Sequence, residues 1–161
     1  MKKYISVVIA LLFCFLGVNL LFATDNTWTQ KEDVGDIKRN HAVGFSIGSK
    51  GYIGTGYVSD VTFSYKKDFW EYDPVANTWT QKADFGGVAR GDAVGFSIGS
   101  KGYIGTGSGY GSETKDFWEY DPIANTWIQK ADFAGAEREG AVGFSIGSKG
   151  YIGTEIGRAH V

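Results

Sequence analysis

The sequence predicts an all-β fold made of repeated four-stranded antiparallel units, about two and a half of them in the chain. Three observations carry this. The string AVGFSIGSKGYIGTG fills residues 42–56, recurs unchanged at 93–107 and returns from Ala141 through Thr154. The string KDFWEYDP stands at 67–74 and 115–122, each time with NTW close behind. Finally, 24 glycines and 16% aromatic residues accompany only two prolines, a composition suited to strands joined by tight turns. The copies begin 51 and then 48 residues apart. Periods of that size mark solenoids, propellers or arrays.

The copy that starts at Ala93 is complete enough to read strand by strand. Over 93–98, Val94, Phe96 and Ile98 alternate with Ala93, Gly95 and Ser97. That period of two predicts a strand with one large apolar face and one small face that another sheet can approach closely. Gly99-Ser100-Lys101-Gly102 reads as a polar turn, and residues 103–106 as the returning strand. A loop follows over 107–114. The aromatic-rich run 116–120 is the third strand, ended by Asp121-Pro122 because proline cannot donate to a ladder. After a turn through Asn125, residues 126–130 form the fourth strand, which carries Trp127. Four short antiparallel strands in about 48 residues make the blade of a β-propeller. Trp28 supplies a fourth-strand segment before the first copy, and the third copy stops after its second strand. The expected layout is a partial propeller over residues 24–154.

Both ends lie outside this repeat. Lys2 and Lys3 precede an apolar run from Tyr4 to Ala23, followed by polar residues. This is the pattern of a signal peptide over residues 1–23, and it predicts export to the periplasm, cell surface or medium. A membrane contact is expected only if that segment stays uncleaved. Cys14, the one cysteine, lies within it and lacks the small preceding residue of a lipidation site. The exported part therefore has no disulfide and depends on packing. At the other end, residues 155–161 read EIGRAHV and break the repeat. They resemble the translation of a sequencing-adapter read and are expected to be foreign to the natural chain. On that reading, the remaining blades come from further C-terminal sequence of the same protein. A net charge of −2 argues against nucleic acid as a partner.

The repeat resembles the kelch family. Tyr52, Tyr103 and Tyr151 occupy the first aromatic site, and Tyr72-Asp73-Pro74 with Trp79 and Tyr120-Asp121-Pro122 with Trp127 occupy the second. One departure is that the usual Gly-Gly step reads Gly54-Thr55-Gly56 and Gly105-Thr106-Gly107. The resemblance implies a kelch-type β-propeller in which Trp79 and Trp127 pack between blades, with Tyr72 and Tyr120 as structural aromatics. Asp73 and Asp121, each before a proline in a turn, are expected to cap that turn.

Differences between copies point to function. The turns within the first and last strand pairs hardly vary. The loop after the second strand is three residues longer in the first copy, and the connections between blades also differ. In a four-stranded meander these variable segments share one rim, and loops on a rigid scaffold are where binding residues concentrate. The candidates are Tyr57, Asp60, Tyr65, Tyr110 and Glu113 from the loops, and Arg39, His41, Arg90, Asp92, Arg138 and Glu139 from the connections. An arginine beside the first strand has a second reading as a hydrogen-bonding brace. Aromatic and arginine side chains suit protein or glycan contact. The sequence carries no phosphate loop, no metal-ligand motif and no nucleophile motif, so no cofactor, metal site or catalytic residue is assigned. The expected function is a non-catalytic exported module that binds a protein or a glycan. The alternative is the partial propeller of an exported carbohydrate-active enzyme. Kelch propellers include sialic acid mutarotases and oxidases resembling galactose oxidase. The oxidases use a cysteine-linked tyrosine, which the exported part lacks.

Overall fold

The computed structural model describes residues 27–35, 38–59 and 63–153. The predicted signal segment and residues 154–161 lie outside them. The chain divides after Gln30. Of the first part only residues 27–30 are described, and they form no strand. The fourth-strand segment expected around Trp28 is thus corrected, because a strand needs a neighbouring ladder to satisfy its backbone groups.

From Lys31 onward, all the regular structure among the described residues is strand, and the blades follow the predicted order. The first blade is β1 (Val43–Ile47), β2 (Lys50–Gly54), β5 (Phe69–Asp73) and β6 (Thr78–Lys82), hydrogen-bonded in that sequence. The second is β7 (Val94–Ile98), β8 (Lys101–Gly105), β9 (Phe117–Asp121) and β10 (Thr126–Lys130). The third is one hairpin, β11 (Val142–Ile146) with β12 (Lys149–Gly153). All ladders are antiparallel, and β7 pairs with β8 in the register Phe96↔Tyr103 and Ile98↔Lys101. The polar turn is therefore shorter than expected. Only Gly99 and Ser100 lie outside the ladder, and Gly99 sits at φ 58, as a two-residue hairpin turn of the II′ kind prefers. An unforeseen ribbon, β3 (Tyr57–Val58) with β4 (Ser64–Tyr65), forms inside the longer loop of the first copy.

The innermost strands β1, β7 and β11 are neighbours, and the core lies in the seam between blades. There the alternating pattern takes effect. Val43 and Phe45 of the first blade press on Gly95, where a Cβ would come within 2.3 Å of Val43. A Cβ at Gly102 would meet the Phe45 ring at 2.5 Å. The small face is thus a requirement of blade-to-blade contact. Farther out, Phe69 lies 4.8 Å from Tyr120 and 5.0 Å from Trp127 (ring centroids), both in edge contact. Phe69, Ile104 and Tyr120 are fully buried. Burial, with added repulsion from Glu71 and Asp121, pushes the Tyr120 hydroxyl up to about 12.

Trp127 sits in the seam as expected, its Nε1 donating to the Ala83 carbonyl at 3.1 Å. Trp79 repeats that bond to the Glu32 carbonyl at 2.8 Å and stacks obliquely on Tyr72. Asp73 and Asp121 cap their turns. The Asp73 carboxylate accepts from the amides of Val75 and Ala76, and that of Asp121 from Ile123 and Ala124. Tyr72 and Tyr120 donate to Asn77 and Asn125 in the same turns, at 2.7 and 2.8 Å.

Candidate ligand-binding rim

The variable loops gather at one end of the blades because the backbone ties each connection to the loop beside it. Asn40 and Tyr57 exchange both amide hydrogen bonds at 2.9 Å, and Gly91 and Ser108 do the same in the next copy. The Gly56 amide also donates to the Arg90 carbonyl at 2.7 Å, which joins the first loop to the following connection.

Within this weave the arginines are braces. Arg90 is fully buried; its guanidinium makes a bidentate pair with Asp116 at 2.6 and 2.9 Å and donates to the Thr106 carbonyl and Thr114 hydroxyl. Arg39 does likewise, with side-chain exposure of 6%, pairing Asp68 at 2.5 and 2.8 Å and donating to the Thr55 carbonyl. Burial pushes Asp68 and Asp116 up, but hydrogen bonds from these arginines and from Trp70 and Trp118 outweigh it. Both carboxyls are held below their usual range. The expectation that Arg39 and Arg90 face a ligand is therefore corrected, since a buried guanidinium forked onto a carboxylate of its own blade has no access to one. Arg138 is half-buried, with its guanidinium 4.5 Å from the centre of the Phe133 ring.

These braces also hold the backbone of the Gly-Thr-Gly step. Thr55 and Thr106 adopt left-handed conformations, φ 58 and 56, and are fully buried. A β-branched residue there is strained. In each case the arginine grips the threonine's own carbonyl, which fixes the backbone in that state.

His41, Asp92 and Gly140 occupy one equivalent position in the three copies, just before each innermost strand, and all three have positive φ (56, 53 and 64). Their backbones form a chain: the Asp92 amide donates to the His41 carbonyl at 3.1 Å and the Gly140 amide to the Asp92 carbonyl at 2.9 Å. The side chains of His41 and Asp92 also pair with each other. Sequence placed both on the rim and could not show that they touch.

Beside them lies an aromatic cluster. His41 stacks on Tyr57 at 4.8 Å. Phe63 lies 4.9 Å from Tyr57 and 5.0 Å from Tyr65. Tyr110, from the second blade's loop, stands edge-on to Tyr65 at 5.1 Å, and its hydroxyl accepts from the Tyr65 amide. Phe63 and Tyr110 are exposed, at 53% and 71%. Phe63 was missed in the sequence; its mark there is a lone large apolar residue within the inserted loop. Asp60 lies outside the described residues. Glu113 bridges Ser108 in the second loop, and Glu139 is half-buried beside Gly140; neither joins the cluster. Among the described residues no group of three His, Cys, Asp or Glu side chains is placed to hold a metal.

No family model matches the chain, and no curated protein matches it. Among solved structures it is similar to that of YjhT, at 17% identity and a TM-score of 0.71. The match covers 81% of this chain and 48% of the other, so the chain spans about half the length of that neighbour. With the blade order and the inter-blade seam, this likeness shows the fold, that of a partial β-propeller.

Proposed function

We propose that the chain is an exported, non-catalytic binding module that holds a glycan on the aromatic rim. The observation behind this is the cluster of His41, Tyr57, Phe63, Tyr65 and Tyr110, with two of its rings well exposed at the variable end. Solitary exposed aromatics are ordinary, whereas a contiguous cluster beside hydrogen-bonding groups is a recognition surface. Ring faces take the apolar face of a sugar, and the adjacent Asp92 carboxylate accepts from its hydroxyls. The near identity of the copies elsewhere supports a binding role, because a catalytic centre places unique residues in one blade. Export rests on the N-terminal pattern.

A glycan array probed with the purified chain and with Tyr110→Ala tests this. The expected result is binding to a defined set of sugars, weakened roughly tenfold or more in the variant, as for an aromatic anchor. Silence across the array would overturn the glycan reading in favour of a protein ligand. Equal binding by the variant would move the site away from the rim.

A further inference from the structure

His41 and Asp92 stand where the third copy carries Gly140, and the backbone treats all three alike. Each is left-handed, and each of the last two donates its amide to the carbonyl of the one before. Glycine is the residue that such a conformation favours. Gly140 therefore shows that the scaffold needs no side chain at this position. The two side chains that are present meet each other across the junction of two blades.

Their contact fixes the imidazole in two ways. His41 Nδ1 pairs with the Asp92 carboxylate through Oδ1. An ionised carboxylate only accepts, so Nδ1 carries the proton of the pair. In the neutral ring that leaves Nε2 as an acceptor, and no hydrogen bond among the described residues occupies it. The ring plane is set by Tyr57, stacked at 4.8 Å with 17° between planes. Gly91 lies close beneath: a Cβ there would come within 3.2 Å of the Tyr57 ring and 3.5 Å of the His41 Cβ. The His41 and Asp92 side chains are 44% and 28% exposed, so the pair is held rigidly and still opens to solvent beside the aromatic cluster.

We propose that His41 Nε2 accepts a hydrogen bond from a ligand hydroxyl, and that Asp92 is the positioning residue that holds the ring in the tautomer able to do so. Asp92 keeps its second carboxylate oxygen for a neighbouring hydroxyl. The pair thus presents acceptors to the ligand, which selects a neutral sugar with adjacent hydroxyls. A carboxylate or phosphate at that spot would meet lone pairs and a like charge. This inference rests on the glycan reading of the rim and adds which groups of the sugar are read there.

The test uses a sugar bound on the array, remade with single hydroxyls replaced by fluorine, which cannot donate. Each analogue is titrated by calorimetry against the chain and His41→Gly. One analogue should bind the chain about tenfold more weakly than the parent sugar, and His41→Gly should bind that analogue and the parent equally. Nitrogen-15 spectra of the free protein at neutral pH read the ring itself, with the His41 signals identified by their loss in His41→Gly. They should show the proton on Nδ1 in the chain and spread over both nitrogens in Asp92→Ala. His41→Gly should melt within about 4 °C of the chain, because an exposed pair contributes little and glycine suits the backbone. A larger fall would make the pair a structural staple and overturn the proposal. So would a proton on Nε2 in the chain, a tautomer unmoved in Asp92→Ala, or a fluorine scan with no loss that depends on His41. A chain that binds no sugar defeats the glycan reading and this inference with it, whereas a chain that binds without any His41-dependent loss defeats this inference alone.

Discussion

Strands β1 and β11 have the same sequence, Val-Gly-Phe-Ser-Ile, and pair with hairpin partners of the same sequence in the same register. Their surroundings differ. Val43 and Ile47 are 6% and 7% exposed, while Val142 and Ile146 are 59% and 64% exposed. Tyr52 is 3% exposed and its counterpart Tyr151 is 42% exposed. The hairpin is therefore a local product, set by alternation and a glycine turn, whereas the core is a product of two blades meeting. A repeat of this kind forms its own strands and depends on a neighbour to cover them.

The largest expected effect separates the two sites directly. Ile47→Ala should cost about 2–5 kcal/mol, the loss from a packed interior. Ile146→Ala should stay within roughly 0.5 kcal/mol when measured in dilute solution, as at an exposed position. Urea denaturation of both variants gives the contrast, and equal losses would break it.

A smaller effect tests the glycine face. Gly95→Ala forces a methyl into Val43 and Phe45 and should destabilise by about 1–3 kcal/mol, the range for overpacking. Gly44→Ala occupies the same position in the first blade and meets nothing closer than 3.6 Å. It should be neutral or slightly stabilising, since glycine within a strand weakens it. Thermal melts of the pair decide this.

The smallest effect concerns the braces. Asp68 and Asp116 have carboxyls held below their usual range in the folded chain. Their pairing with arginine therefore contributes stability above the unfolded carboxylate pKa of about 3.9 and loses it as pH falls through the lower folded values. Amide protection in the first two blades, taken relative to the intrinsic exchange rate at each pH, should fall below about pH 4, and Asp116→Asn should flatten that dependence. An unchanged profile in the variant would mean that other carboxylates govern acid sensitivity.

Much of this was legible in the residues. The period of two in Ala93–Ile98 gave a strand with one small face, and the seam shows why that face is small: Gly95 receives Val43 and Phe45. The Asp-Pro turns and the inter-blade role of Trp127 were also readable, because each depends on local chemistry or on recurrence. The rim was legible only as a region. Arg39 and Arg90 recur with the period, a mark of scaffold, yet their residue type suggested contact with a ligand. Phe63 and the pairing of His41 with Asp92 join residues from segments that only the folded rim brings together.

The sequence by itself determined the strands, the hairpin turns, the order of the blades and the end at which variation accumulates. Each of these follows from short-range geometry or from repetition. The tertiary structure alone decided which arginines are buried, which aromatics form a cluster and which copies of one strand are covered. Burial is a property of the neighbour. Three identical hairpins differ in burial because the first two have a following blade pressed against their large faces and the third, among the described residues, does not.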